Sequence, residues 1–216
     1  MKLLIPFFCI LLVFSSCAST ASKNPNMIAD ADPIPLGTVT ILFEKFFSSA
    51  LGTKDVSLVF DPRSNTVYLQ FVYETVTYRQ FWDQTNRKKF IAALEQYQKD
   101  FEARNLNRKS SKSRRAYGSV NGKTEWGQFS FSINARSYPQ MEIGYQFKED
   151  NPYFTVLQRE AKDTLTGDER NSLRITTYFN RTQAAELAAF FDQTYLLNRL
   201  EAEGIPLASD AAPDVY

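Results

Sequence analysis

No histidine occurs anywhere in the 216 residues, and the two cysteines are Cys9 and Cys17, both close to the start. The first absence removes the commonest general base and the commonest metal ligand together. The second leaves everything after position 17 without a thiol, which excludes a disulfide, a thiolate metal site and a cysteine nucleophile there. An excess of one charge is also missing. The formal net charge is +1, and removing Lys2 with a leader makes basic and acidic residues equal in number, so binding to a polyanion must rest on local clustering. The chain carries no P-loop and no S-x-x-K pair, and Gly118-Ser119-Val120-Asn121-Gly122 has its serine one place too early for a nucleophile elbow. The acidic segment Asp163 to Glu169 sets Leu165 and Gly167 where a calcium loop needs oxygen donors. No metal, no cofactor and no catalytic activity are therefore expected. A carboxylate pair for glycoside hydrolysis, defined in space and not by spacing, stays open.

The N-terminus explains the cysteine placement. Met1-Lys2 precedes an uncharged, apolar run from Leu3 to Phe14. At about a dozen residues it suits a secretory signal and falls short of the ~20 residues of a membrane-spanning helix. It ends at Phe14-Ser15-Ser16-Cys17. That segment resembles the lipobox of bacterial lipoproteins, in its looser spirochaete form, where a bulky apolar residue and small residues precede the acylated cysteine. The resemblance implies a signal peptide over 1–16, lipidation of Cys17, and a chain anchored by lipid to a membrane of the bacterial cell envelope, whether on its periplasmic or its surface face.

Residues 17–37 are polar and carry Pro25, Pro33 and Pro35, which reads as a lipidated tether. Residues 201–216 hold four acids, two prolines and no basic residue, which reads as a flexible acidic tail. Between them, 38–200 is long enough for a single domain with its own core.

Within that domain the patterning predicts α+β structure, mainly an antiparallel sheet with two helices on one face. Val56 to Phe60 and Thr66 to Trp82 are β-branched and aromatic around the turn Asp61-Pro62-Arg63-Ser64-Asn65, and the longer run switches its apolar side near Glu74, where a bulge or bend is expected. Phe90, Leu94, Tyr97 and Phe101 recur at helical spacing behind Asp83 or Thr85 as caps. Asn121-Gly122 signals a two-residue hairpin. Phe129, Phe131 and Ile133, then Met141, Ile143, Tyr145 and Phe147, then Leu173, Ile175, Thr177 and Phe179 are expected to face inward. Asn180, with Gln183 placed for a capping box, starts a second helix to about Leu200. Phe90, Leu94, Phe101, Leu187, Phe190 and Phe191 should pack on the sheet.

Trp82-Asp83-Gln84-Thr85 and Phe179-Asn180-Arg181-Thr182, 97 positions apart, begin two similar helices, which raises a duplicated sheet-plus-helix unit with halves 38–104 and 117–200. Such a layout is similar in topology to the Whirly and PUR single-stranded nucleic-acid binders. No motif of either family is present, and nucleic acid is not expected as a partner.

Two surfaces stand out. Arg104, Arg108, Lys109, Lys112, Arg114 and Arg115 form a basic loop with no acid between Glu102 and Glu125. At ~1 kcal/mol per basic residue near an anionic surface, it suits an anionic polymer or lipid headgroups. The polar side of the sheet, with Trp126, Arg174 and Tyr178, is the second candidate. The chain is thus read as a non-catalytic envelope lipoprotein with a binding or structural role, its partners a membrane through the lipid and an envelope protein or anionic polymer.

Overall fold

Hairpins set the local architecture of the computed structural model, which describes residues 24–45, 50–128 and 133–208. Strand β1 (Ile34–Glu44) pairs antiparallel with β2 (Leu51–Asp61), and β3 (Thr66–Tyr73) follows. The expected bend near Glu74 is a full reversal. Tyr73 pairs with Val76, so the long run folds into β3 and β4 (Val76–Asp83), with Val67, Leu69 and Phe71 opposite Trp82, Gln80 and Tyr78. A two-residue turn preserves the face across the hairpin, and the apparent switch of side in the sequence is its signature.

Helix α1 (Gln84–Glu102) is capped by the Asp83 side chain, which accepts from the Asn86 amide. A short 3-10 turn (Ser113–Arg115) then leads to β5 (Ser119–Asn121), β6 (Lys123–Gln128), β7 (Ala135–Ser137), β8 (Gln140–Lys148) and β9 (Asn151–Gln158). Two short strands, β10 (Ala161–Lys162) and β11 (Asn171–Ser172), pair with each other before β12 (Ile175–Phe179), α2 (Arg181–Phe191) and α3 (Gln193–Ala202). The large sheet runs in the order β5-β8-β9-β12-β1-β2-β3-β4-β6-β7. The α+β class and the mainly antiparallel sheet are as the patterning predicts.

The hairpin expected at Asn121-Gly122 does not form. Asn121 pairs with Gln140 on β8, whereas Lys123 pairs with Phe81 on β4. Strands β5 and β6 stand near opposite ends of the sheet order, yet only Gly122 separates them. One residue spans at most ~3.6 Å, so the sheet must curl into a half-barrel whose ends meet. The interior records the closure: Gln80 Nε2 donates to Gln158 Oε1 at 2.8 Å, and Thr124 Oγ1 donates to the same oxygen at 2.9 Å.

The concave face is packed by α1 and α2 around Phe90, whose ring meets Trp82, Phe154 and Phe191 edge-on at 5.1–5.6 Å between centroids. Phe90, Leu94, Leu187, Phe191, Ile143, Ile175 and Phe179 are buried as expected, while Phe101, Phe147 and Phe190 are partly so. Leu173, expected inward, is 40% exposed, and Phe129 and Phe131 lie outside the described residues.

Three helices replace the two expected. The Phe191 carbonyl accepts from Arg87 Nε at 3.2 Å, and Asp192 turns extended and caps α3 by accepting from the Tyr195 amide. Diverting that carbonyl to a buried guanidinium ends α2 at Phe191, well short of the Leu200 to which the sequence pattern runs. The structure does not support a duplicated unit either. The first half is an unbroken four-strand meander, whereas the second is split between the two ends of the sheet and ends on a broken helix. The stretch 17–37 is not all tether, because Ile28 and Ala29 are buried and β1 starts at Ile34. The stretch 201–216 likewise begins by docking, with the Ala208 amide donating to the Ile28 carbonyl at 2.6 Å.

Candidate functional site

Two rows of paired residues cross β8, β9, β12 and β1. Ile143, Val156, Thr177 and Phe43 form the inner row, while Gly144, Thr155, Tyr178 and Leu42 form the outer one. The outer row is the face read from sequence as polar and open, and it is covered. The basic loop leaves α1, wraps the β8 edge and lies over it. On the inner side, the Asn107 amide donates to the Tyr145 hydroxyl at 3.0 Å. On the outer side, the 3-10 turn rests on Gly144, where a Cβ would stand 2.0 Å from the Ser113 carbonyl oxygen. The chain then returns along the edge, with the Tyr117 amide donating to the Ile143 carbonyl at 3.0 Å and the Ile143 amide to that of Gly118 at 2.9 Å. Glycine inside a strand marks such a close backbone approach.

The loop is therefore a docked element. Asn107 Oδ1 accepts from the Lys109 amide, and the Ser110 carbonyl accepts from the Ser113 amide, a chain of local turns that holds the backbone. Arg104, Arg108, Lys109, Lys112, Arg114 and Arg115 are all exposed upon it. Among the described residues, Arg108 alone of the six forms an ion pair, with the exposed Asp150.

On the same face Tyr178, a residue named from the sequence, joins two that the sequence does not single out, Glu44 and Lys148. Glu44, at the end of β1, accepts from Lys148 and from the Tyr178 hydroxyl, the latter at 3.0 Å. Burial pushes the Glu44 carboxyl up, but those two hydrogen bonds and the charges of Lys148 and Arg114 outweigh it and hold the group below its ordinary value. Burial raises the Tyr178 phenol, and the Glu44 charge and hydrogen bond raise it further, against the opposing pull of Arg114 and Arg174. The charges of Arg114, from the basic loop, and Arg174, from the sheet, are both felt at Tyr178. The ion pair Glu44–Lys148 joins residues 104 positions apart, so no local spacing could have revealed it.

The sheet-face reading needs two corrections. Trp126 is 6% exposed and cannot serve as an open binding aromatic. It pairs with Tyr78, as Thr124 pairs with Gln80, so β6 presents these residues to the half-barrel interior, opposite to the parity read from Phe129 and Phe131. Tyr178 does lie on the outer face but is 1% exposed, closed over by its neighbours, whereas Arg174 is exposed. Cys17 lies outside the described residues.

Elsewhere, Arg87 is buried and has no carboxylate partner among the described residues. It donates to the carbonyls of Asn65, Trp82 and Phe191 and to the side chains of Asn65 and Gln193. Burial lowers its pKa to about 10, with Asp83 opposing. With its donors satisfied it acts as a structural clasp. Asp163, in the segment considered for calcium, instead accepts from the Arg136 and Leu165 amides, Thr166 and Arg170, and these bonds hold its carboxyl well below the usual range. Among the described residues no group of three or more acids or thiols is placed to hold a metal ion, and no helix is long and apolar enough to cross a membrane.

Residues 33–198 match a protein family described as uncharacterised Treponema protein, and the chain belongs to that family. It is 28% identical over 191 residues to an uncharacterized protein of Treponema pallidum (strain Nichols), covering 88% of this chain and 67% of that relative. No solved structure matches. A spirochaete family agrees with the form of the N-terminal cysteine motif.

Proposed function

We propose that this member of the Treponema family is a lipid-anchored envelope protein without catalytic activity, whose basic turn contacts a negatively charged envelope component. The observation that carries the reading is the docking of the 3-10 turn over Gly144, which spends close packing on holding a cluster of exposed cations in one place. A solvated connector needs no such seat. Cations fixed in advance lose less side-chain and loop entropy on binding than cations on a free chain.

The anchor follows from Phe14-Ser15-Ser16-Cys17, and acylation there confines the domain to a membrane and raises its effective concentration for a weak contact. Labelled palmitate should enter the wild type and not Cys17→Ala; equal labelling of both removes the anchor from the account. For the contact, replacing Arg108, Lys109, Lys112, Arg114 and Arg115 with Ser should abolish capture of the full chain on heparin-agarose, used as a generic polyanion, with unchanged thermal unfolding. Undiminished capture would show that the turn is only a connector.

A further inference from the structure

Between the basic turn and the end of β8 lies a pocket of about 360 Å³, lined by Arg108, Ser110, Ser111, Ser113, Arg114 and Gln146, with the half-buried Phe147 as an apolar wall. We propose that this pocket is a discrete binding site for a phosphate group carried by the envelope partner. The proposal rests on the reading of the turn as an anionic contact and narrows it from a diffuse charged surface to one ligand chemistry.

The lining is all donors and neutral groups, with no carboxylate. Arg114 makes no ion pair among the described residues, and Arg108 shares its charge only with Asp150, which is 91% exposed. A guanidinium presents a planar fork suited to two oxygens of one phosphate. The serines add to it. Ser110 Oγ accepts from the Lys112 amide at 3.3 Å, which leaves its own proton free to donate outward, and Ser111 and Ser113 stand on the same turn. The free Arg114 fork, the part of Arg108 that Asp150 does not engage, three serines and the Gln146 amide together exceed what the two oxygens of a carboxylate can accept, about four lone-pair positions. A phosphate, with more oxygens in a tetrahedral arrangement, can engage donors from both the turn and Gln146. The backbone seat at Gly144 holds Ser113 and Arg114 in register with the strand that supplies Gln146 and Phe147. The pocket is also larger than a lone phosphate needs, leaving room for the group that carries it.

A phosphate monoester on a polymer or sugar and a phosphodiester in a lipid headgroup share this chemistry, and two probes separate them. Isothermal titration of the full chain with inorganic phosphate and with glycerophosphoglycerol should show saturable one-to-one binding in at least one arm. Preference for the first assigns a monoester, preference for the second a lipid-type diester, and either supports the site. Arg114→Lys, which keeps the charge but loses the fork, should weaken binding by about tenfold or more, the scale of one hydrogen bond to a charged group. Ser111→Ala with Ser113→Ala should weaken it severalfold at constant charge. No saturable binding in either arm, or equal affinity for Arg114→Lys, overturns the pocket. If heparin capture persists in that case, the basic turn still stands as a diffuse contact; if capture is lost as well, both readings fall.

Discussion

Substituting alanine at Gly144 adds one methyl group at the point where the basic turn meets the sheet. The new Cβ would stand 2.0 Å from the Ser113 carbonyl oxygen, 2.4 Å from the Arg114 carbonyl carbon and 2.6 Å from the Arg114 oxygen, where ordinary contact begins at 3.4 Å. All three are backbone atoms, so no side-chain rotation relieves the clash. Strand β8 cannot yield, because it is hydrogen-bonded to β9 along its length and tied to Tyr117 and Gly118 through Ile143. The turn must lift. Overpacking of this kind costs about 1–3 kcal/mol. At about 2–4 °C per kcal/mol for a chain of this size, thermal unfolding should shift down by about 2–12 °C. Lifting the turn also exposes the bonds after its Arg and Lys residues, so limited trypsin digestion should cut Gly144→Ala within 104–115 much faster than the wild type. Phosphate binding should fall in parallel. An unchanged melting temperature together with an unchanged cleavage rate would refute the docked turn, since a free loop moves aside at no cost.

Leu94 and Phe191 are 4% and 1% exposed in the aromatic core, and truncating either to Ala should lower denaturant stability by about 2–5 kcal/mol, against less than ~0.5 if their faces are misassigned. Arg87→Ala strands the acceptors at Asn65, Trp82, Phe191 and Gln193, with an expected loss of at least about 2 kcal/mol; Arg87→Lys should not restore it, because an ammonium cannot span that fork, and full rescue by Lys would contradict the clasp. Burial pushes Tyr78 and Tyr97 up to about 12, so the native state holds protons that the unfolded chain releases from pH ~10. Their contribution is therefore whole below pH ~10 and is lost as pH rises towards 12; urea midpoints that stay level across that window would contradict the burial.

Local chemistry was legible in this sequence and long-range pairing was not. Asp83 and Asn180 cap helices as read, and Gln183 completes the capping box, because caps depend on residues three apart. The Phe90, Leu94 and Tyr97 stripe is the buried side of α1 for the same reason. Failures began where a residue's partner lies far along the chain. Asn121-Gly122 has hairpin chemistry, but Asn121 finds Gln140 and Lys123 finds Phe81, so a turn signal became the link that closes the half-barrel. The alternation through Phe129 and Phe131, extended back to Trp126, puts that ring on the polar side, whereas its pairing with Tyr78 turns it into the half-barrel interior. The basic loop showed its charge plainly, yet its seat depended on Gly144, whose meaning appears only when the turn is laid on it.

Position, and not charge alone, is the core of the functional account, and a matched-charge comparison tests it most directly. Arg114→Ser with Arg115→Ser removes two cations from the turn, and Lys88→Ser with Lys89→Ser removes two exposed cations from α1. Both double variants carry the same net charge. On heparin-agarose, the turn variant should elute at clearly lower salt than the wild type while the helix variant stays close to it; equal retention of the two variants would contradict a binding face at the basic turn.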